Sequence, residues 1–154
     1  MKHFDYFAPT EIIFGAGRVT EAGALAARYG KKAMLVTVPE FPAVAELYAK
    51  AKKSLADAGV ACVHYDGVIP NPTTELVTRG AELAKAEGVD VVIGLGGGSS
   101  MDTAKAIAVE ATHPGTAWDY NCHTAGPTEQ TLPILAISTT AGTGSQTTPC
   151  AVIT

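Results

Sequence analysis

This 154-residue chain is short of most features that would assign a function class at once. Its 11 lysines and arginines are spread thinly with no basic run, and 15 acidic residues leave a net charge of −4, so no nucleic-acid partner is expected. No apolar stretch reaches the roughly 18 residues that span a bilayer. The opening MKHFDYFAPTE lacks the apolar core of a signal peptide, so no membrane partner and a cytoplasmic location are expected. Cysteine is scarce: Cys62, Cys122 and Cys150 are odd in number and form no C-x-x-C pair. That pattern argues against a disulfide framework or a cysteine zinc site, and the three are read as reduced thiols in or near the core. The histidines His3, His64, His113 and His123 fall in no metal-ligand spacing and are read as surface or internally satisfied side chains. The length suits one domain with a buried core and is too short for a two-domain enzyme.

What is present alternates between strand and helix patterns. Residues 33–38 are a short apolar, β-branched run, and residues 43–58 carry Val44, Leu47, Tyr48, Ala51, Leu55 and Ala58 at helical spacing with Gly59 as a stop. Residues 60–65 read as the next strand. Thr73 or Thr74 can cap a helix that buries Val77, Ala81 and Ala84 and stops at Gly88. Residues 89–95 form a continuous apolar run suited to a strand buried on both faces. A helix over 99–109 follows, packing Met101, Ala104, Ile107 and Ala108 inward. Residues 113–130 read as an irregular connection, and strands are expected at 133–137 and 151–154. The fold class is therefore α/β, a Rossmann-like parallel sheet flanked by helices, whose ligands bind at the carboxyl ends of the strands. The segment before Arg18, with Phe4, Tyr6, Ile12, Ile13 and Phe14, reads as an N-terminal edge strand or hairpin, and an apolar edge of that kind favours a homodimer.

The richest stretch is VVIGLGGGSSMDTAKA, residues 91–106. Gly96, Gly97 and Gly98 let backbone N–H groups approach a phosphate, because no Cβ stands in the way and positive φ costs little. Ser99 is expected to open the helix as its N-cap, with Asp102 three residues on completing a capping-box-like pair. The pyrophosphate of a dinucleotide would sit on the amides of Gly97, Gly98 and Ser99, at the positive end of the helix dipole. Lys105 is read as solvated or paired with Asp102. The usual fingerprint G-x-G-x-x-G is missing after the first strand, where the chain reads Thr37-Val38-Pro39-Glu40-Phe41-Pro42.

A second motif sharpens the reading. The run at 133–137 leads into Ser138-Thr139-Thr140-Ala141-Gly142-Thr143-Gly144-Ser145-Gln146. With GGGSSMDTAKA and the Val68-Ile69-Pro70-Asn71-Pro72-Thr73 turn, the chain resembles the iron-containing (group III) alcohol dehydrogenase family along its whole length. The resemblance implies the N-terminal half of the dehydroquinate synthase-like fold, binding NAD or NADP. It implies that Thr139, Thr140, Thr143 and Thr148 line the adenine, ribose and nicotinamide side of a cleft, that Ser145 belongs to that loop, and that Asn71 and Asp102 lie near the cofactor. Many members carry an aspartate at the position of Val38, which holds the adenosine ribose; valine neither holds the diol nor repels a 2′-phosphate. Gln146 departs from the family's usual glutamate. Such dehydrogenases hold Fe²⁺, sometimes Zn²⁺, through an aspartate and three histidines of a helical C-terminal half that polarises a small alcohol or aldehyde substrate. No counterpart of that half lies in residues 1–154, so the chain is expected to be a truncated dinucleotide-binding domain, inactive alone. Two other classes stay open: an NAD-binding lyase or synthase of the same fold, against which the TTAGTGS loop speaks, and a non-catalytic nucleotide-binding or assembly module.

Overall fold

A computed structural model describes His3, Asp5, residues 7–121, Thr124 and residues 126–154. Four parallel strands, β1 (Lys32–Val36), β2 (Ala61–Tyr65), β3 (Val91–Gly96) and β4 (Ile134–Ser138), form one sheet in the order β2-β1-β3-β4. Helices α1 (Ala22–Ala26), α2 (Pro42–Asp57), α3 (Thr74–Glu87) and α4 (Gly98–Glu110) cover it. Alternate side chains of the two central strands choose the faces: Met34, Val36 and Val92 pack with residues of α3 and α4, while Ala33, Leu35, Val91, Ile93 and Leu95 pack with those of α1 and α2. The chain runs from β1 outward to β2 and then back across β1 to β3, with α2 on one face and α3 on the other. Right-handed crossovers in opposite directions require that arrangement. The reversal leaves a crevice between the carboxyl ends of β1 and β3, the switch point at which open α/β sheets bind ligands.

The helix limits follow local chemistry. Pro42 occupies the first turn of α2, where its missing N–H costs nothing, and Gly59 at φ +70° takes the left-handed position after the helix. Gly88 does the same for α3 at φ +62°. Thr73 is the N-cap of α3, although its side chain makes no cap bond. His113 is a satisfied internal histidine, as the sequence suggested. Its Nε2 accepts from the Thr128 amide at 3.0 Å, so Nδ1 carries the proton and donates to the Val109 carbonyl at 2.9 Å.

Three expectations need correction. Residues 7–14 form no strand, and Phe7, Ile12 and Phe14 stand exposed; a strand needs a partner for its N–H and C=O groups, and no strand among the described residues pairs with this segment. Phe4, Tyr6, Cys122 and His123 fall outside the described residues. Residues 151–154 are no strand either. Thr154 instead exchanges backbone bonds with the turn before α3, donating to Pro72 and accepting from Thr74 at 2.9 and 3.1 Å. Cys62 and Cys150 are exposed and not core thiols, because β2 is an edge strand and Cys150 lies in a surface loop.

At the far end of the sheet Asp90 joins the entries to β1 and β3. Its Oδ2 accepts from the amides of Lys31 and Lys32 at 2.7 and 2.9 Å, and these bonds hold its carboxyl below the usual carboxylate range. Asp90→Ala is expected to cost about 1 kcal/mol at neutral pH, the size of a solvent-screened charged hydrogen bond. A depressed folded-state pKa gives stability that is present above the unfolded value of about 4 and is lost as pH falls through the folded one. Urea denaturation of both proteins should therefore show the gap at pH 7 and its closure in strong acid.

Candidate functional site

The crevice at the switch point is walled on one side by the turn from β3 into α4. Gly96 has φ +146°, a conformation that side chains rarely adopt, and a Cβ there would also lie 2.6 Å from Ser100 Oγ. Gly97 is extended, at φ −82° and ψ −169°, and is the N-cap; α4 begins at Gly98. Ser99 is therefore inside the helix and not its cap, because Gly97 already takes the non-helical position that a cap requires. The capping pair with Asp102 is not formed, since that carboxylate is turned toward another loop. The first intrahelical bond runs from Met101 N to Gly97 O at 3.3 Å, which leaves the amides of Gly98, Ser99 and Ser100 without intrahelical acceptors at the positive end of the helix. Ser100 Oγ is buried and has no hydrogen-bond partner.

On the side of this turn away from β1 lies the loop after β4. Thr139 N donates to Gly96 O at 2.9 Å, joining the two turns directly. A Cβ on Gly98 would lie 3.0 Å from Thr143 Cγ2, a tight fit, whereas one on Gly97 would meet nothing nearer than Thr140 Oγ1 at 3.7 Å. Gly97 thus has an ordinary φ and room for a side chain, so the fold itself does not require glycine there. Its bareness leaves an open approach to unpaired amides, which is what a phosphate group needs. Thr139, Thr140 and Thr143 are exposed around this approach, and Thr148 is exposed after a short 3-10 turn, Ser145–Thr147.

Other residues singled out from the sequence stand on neighbouring strand ends. Val38, half-buried, follows β1 across the crevice, and its carbonyl accepts from Thr37 Oγ1 at 2.8 Å and Tyr48 Oη at 3.4 Å. His64 Nε2 lies 2.8 Å from the same threonine oxygen; with that hydroxyl proton given to Val38, the imidazole donates. Burial, then the charge of Lys52, pulls His64 below the usual histidine range against Asp66 and Glu40. Asn71, exposed after β2, has φ +54°, the positive-φ non-glycine position among the described residues. Asparagine tolerates that region, and such backbone outliers gather at functional turns.

Behind the loop lies a buried polar cluster that periodicity did not announce. Asp102, 9% exposed, accepts from Ser145 Oγ at 2.6 Å and from the Val152 amide at 3.1 Å. Lys105, 7% exposed, donates to Ser145 Oγ at 2.8 Å and to the Cys150 carbonyl at 2.6 Å, with Asp102 Oδ1 at 3.5 Å. Burial draws its ammonium below the ordinary lysine range, opposed by the Asp102 carboxylate. Of the two readings, the pairing with Asp102 is the one formed, and it is buried rather than solvated. The polar atoms of Asp102 and Ser145 are engaged inside the protein. The available signal was a lone cation within the apolar run Ala104, Ala106, Ile107, Ala108. Gln146 Oε1 is buried without a hydrogen-bond partner. Among the described residues no three His, Cys, Asp or Glu side chains gather so as to hold a metal ion.

The family model described as iron-containing alcohol dehydrogenase matches residues 9–154. The choline dehydrogenase of Bacillus subtilis is 45% identical over the whole chain, which spans 39% of that protein. An archaeal halo-thermophilic alcohol dehydrogenase from a Red Sea brine pool superposes with a TM-score of 0.93 at 43% identity, over all of this chain and 41% of that one. The NADH-dependent butanol dehydrogenase A of Thermotoga maritima gives 0.89 at 34% identity, over all of this chain and 39% of its own. The chain therefore spans about two fifths of the length of these relatives.

The two glycines of the turn should respond differently to a branched side chain. Gly97→Val is expected to cost no more than about 1 kcal/mol, the loss of a favourable cap residue without a steric clash. Gly98→Val, which must displace Thr143, should lose about 1 to 3 kcal/mol. Urea denaturation of both variants checks this, and a large loss at Gly97 would mean that the fold needs that glycine after all.

Proposed function

From the premise that this chain belongs to the iron-containing alcohol dehydrogenase family, we propose that it is the nucleotide-binding part of an NAD(P)-dependent, metal-dependent alcohol dehydrogenase that interconverts small alcohols and aldehydes. The observation that carries the reading is the open space at Gly97 beside the unpaired amides of Gly98, Ser99 and Ser100, in the crevice between β1 and β3. A dinucleotide bound there would take or supply the hydride. The chain's own residues bind and orient it. The glycine turn receives the pyrophosphate, the hydroxyls of Thr139, Thr140, Thr143 and Thr148 offer donors and acceptors to ribose and phosphate, and Asn71 and Val38 border the two flanking strand ends. Fe²⁺ or Zn²⁺ and the substrate belong to residues beyond this set, so the chain alone is proposed to be inactive and to retain no stoichiometric metal. The exposed Phe7, Ile12 and Phe14 support self-association as a homodimer, and the enzyme is proposed to be cytoplasmic. No helix among the described residues is long and apolar enough to cross a membrane.

Calorimetry with NADH tests the site: the original chain should bind it and Gly97→Val should not, while still folding. Equal binding by both would remove the glycine turn from the reading.

Cofactor choice turns on Val38. A carboxylate a few ångströms from a 2′-phosphate would cost about 1 to 4 kcal/mol at effective dielectrics of 80 to 20, and valine imposes no such cost. Glu40 restores part of the repulsion and no arginine or lysine follows the strand, so NADPH is accepted without exclusivity. Titration with NADH and NADPH at matched ionic strength should give affinities within about tenfold of each other. Val38→Asp should then shift the ratio toward NADH.

A further inference from the structure

We propose that Lys105 is a positioning residue for the dinucleotide: its buried ammonium clamps residues 139–150 onto α4, so that Thr140 and Thr143 are held opposite the glycine turn. The proposal rests on the nucleotide-binding reading above. It begins from how little else orders this loop. Beyond Ser138 the segment makes no sheet ladder and contains only the three-residue 3-10 turn. Gly142 and Gly144 have φ of +132° and +68° with nothing within 4 Å of an added Cβ, so neither is packed against a neighbour. Thr139 ties the start of the loop to Gly96. Further on, the bonds to the body of the domain run to two side chains of α4 and, past the loop at Thr154, to the turn before α3. Ser145 Oγ and the Val152 amide donate to Asp102, and the Cys150 carbonyl and Ser145 Oγ accept from Lys105.

The chemistry of the cluster suits a clamp. An ammonium has three protons and no acceptor, and Lys105 finds Ser145, Cys150 and Asp102 around it. Ser145 relays the contact, accepting from the lysine and donating to the aspartate. A methionine would fill the same volume on α4 without the desolvation cost of a buried charge, so packing alone does not account for a lysine. Two of its three contacts are to the loop that carries Thr143 against Gly98.

The test uses the full chain, NADH calorimetry and amide hydrogen exchange. Lys105→Met, and the charge-balanced double variant Asp102→Asn with Lys105→Met, should bind NADH about tenfold or more weakly, the scale of one lost charge-assisted hydrogen bond. Both should exchange faster at residues 139–152 with β1 and β3 as protected as before, an effect that general destabilisation would not confine to the loop. Ser145→Ala should move both readouts the same way and Ser145→Thr, which keeps the hydroxyl, should restore them. Unchanged affinity or unchanged loop exchange in Lys105→Met overturns the proposal; if that variant does not fold, the Ser145 pair decides. If the original chain binds no NADH, the nucleotide-binding reading fails, and the exchange comparison alone still keeps or rejects the clamp.

Discussion

The site depends on how closely α4 lies against β3. A Cβ on Gly94 would stand 2.9 Å from Met101 Cα and 3.0 Å from the Ser100 carbonyl, so only glycine permits the helix to return so directly over the strand it leaves. Gly96 then turns the chain at positive φ, and the helix starts two residues later. That short turn aims the first amides of α4 into the crevice between β1 and β3. It also brings Asp102 and Lys105 within reach of the loop after β4.

The glycine turn beside the crevice is thus rigid, and the loop that flanks it on the β4 side is held. The glycine turn is continuous with a buried strand and a buried helix, and its shape follows from backbone geometry. The threonine loop has no such continuity. Its place depends on Thr139 at one end and on the buried cluster at the other, where two opposite charges and a hydroxyl satisfy one another away from water.

The helices α2, α3 and α4 were legible within a residue or two, because apolar spacing and the stops at Gly59 and Gly88 act locally. The four sheet strands were legible as apolar runs for the same reason. Strand readings at the two ends of the chain failed for a physical cause: apolar, β-branched residues favour extended backbone, but a strand exists only where another strand accepts its hydrogen bonds. Residues 7–14 find no partner strand among the described residues, and Thr154 finds the turn at Pro72. Ser99 read as a cap because serine is a frequent one. Gly97, with no side chain to signal it, takes the position.

The α/β class, the glycine turn and the hydroxyl-rich loop are each written in contiguous residues and follow from local sterics and hydrogen-bonding capacity. Which of these meet is set by packing. The order β2-β1-β3-β4 sets the turn at the switch point, and Thr143 comes to rest over Gly98. Asp102 and Lys105, readable as a pair, come to lie in a buried cluster with Ser145 and the Cys150 carbonyl, residues 40 and more positions away. Burial and partnership at such separations are properties of packing, and no local pattern encodes them.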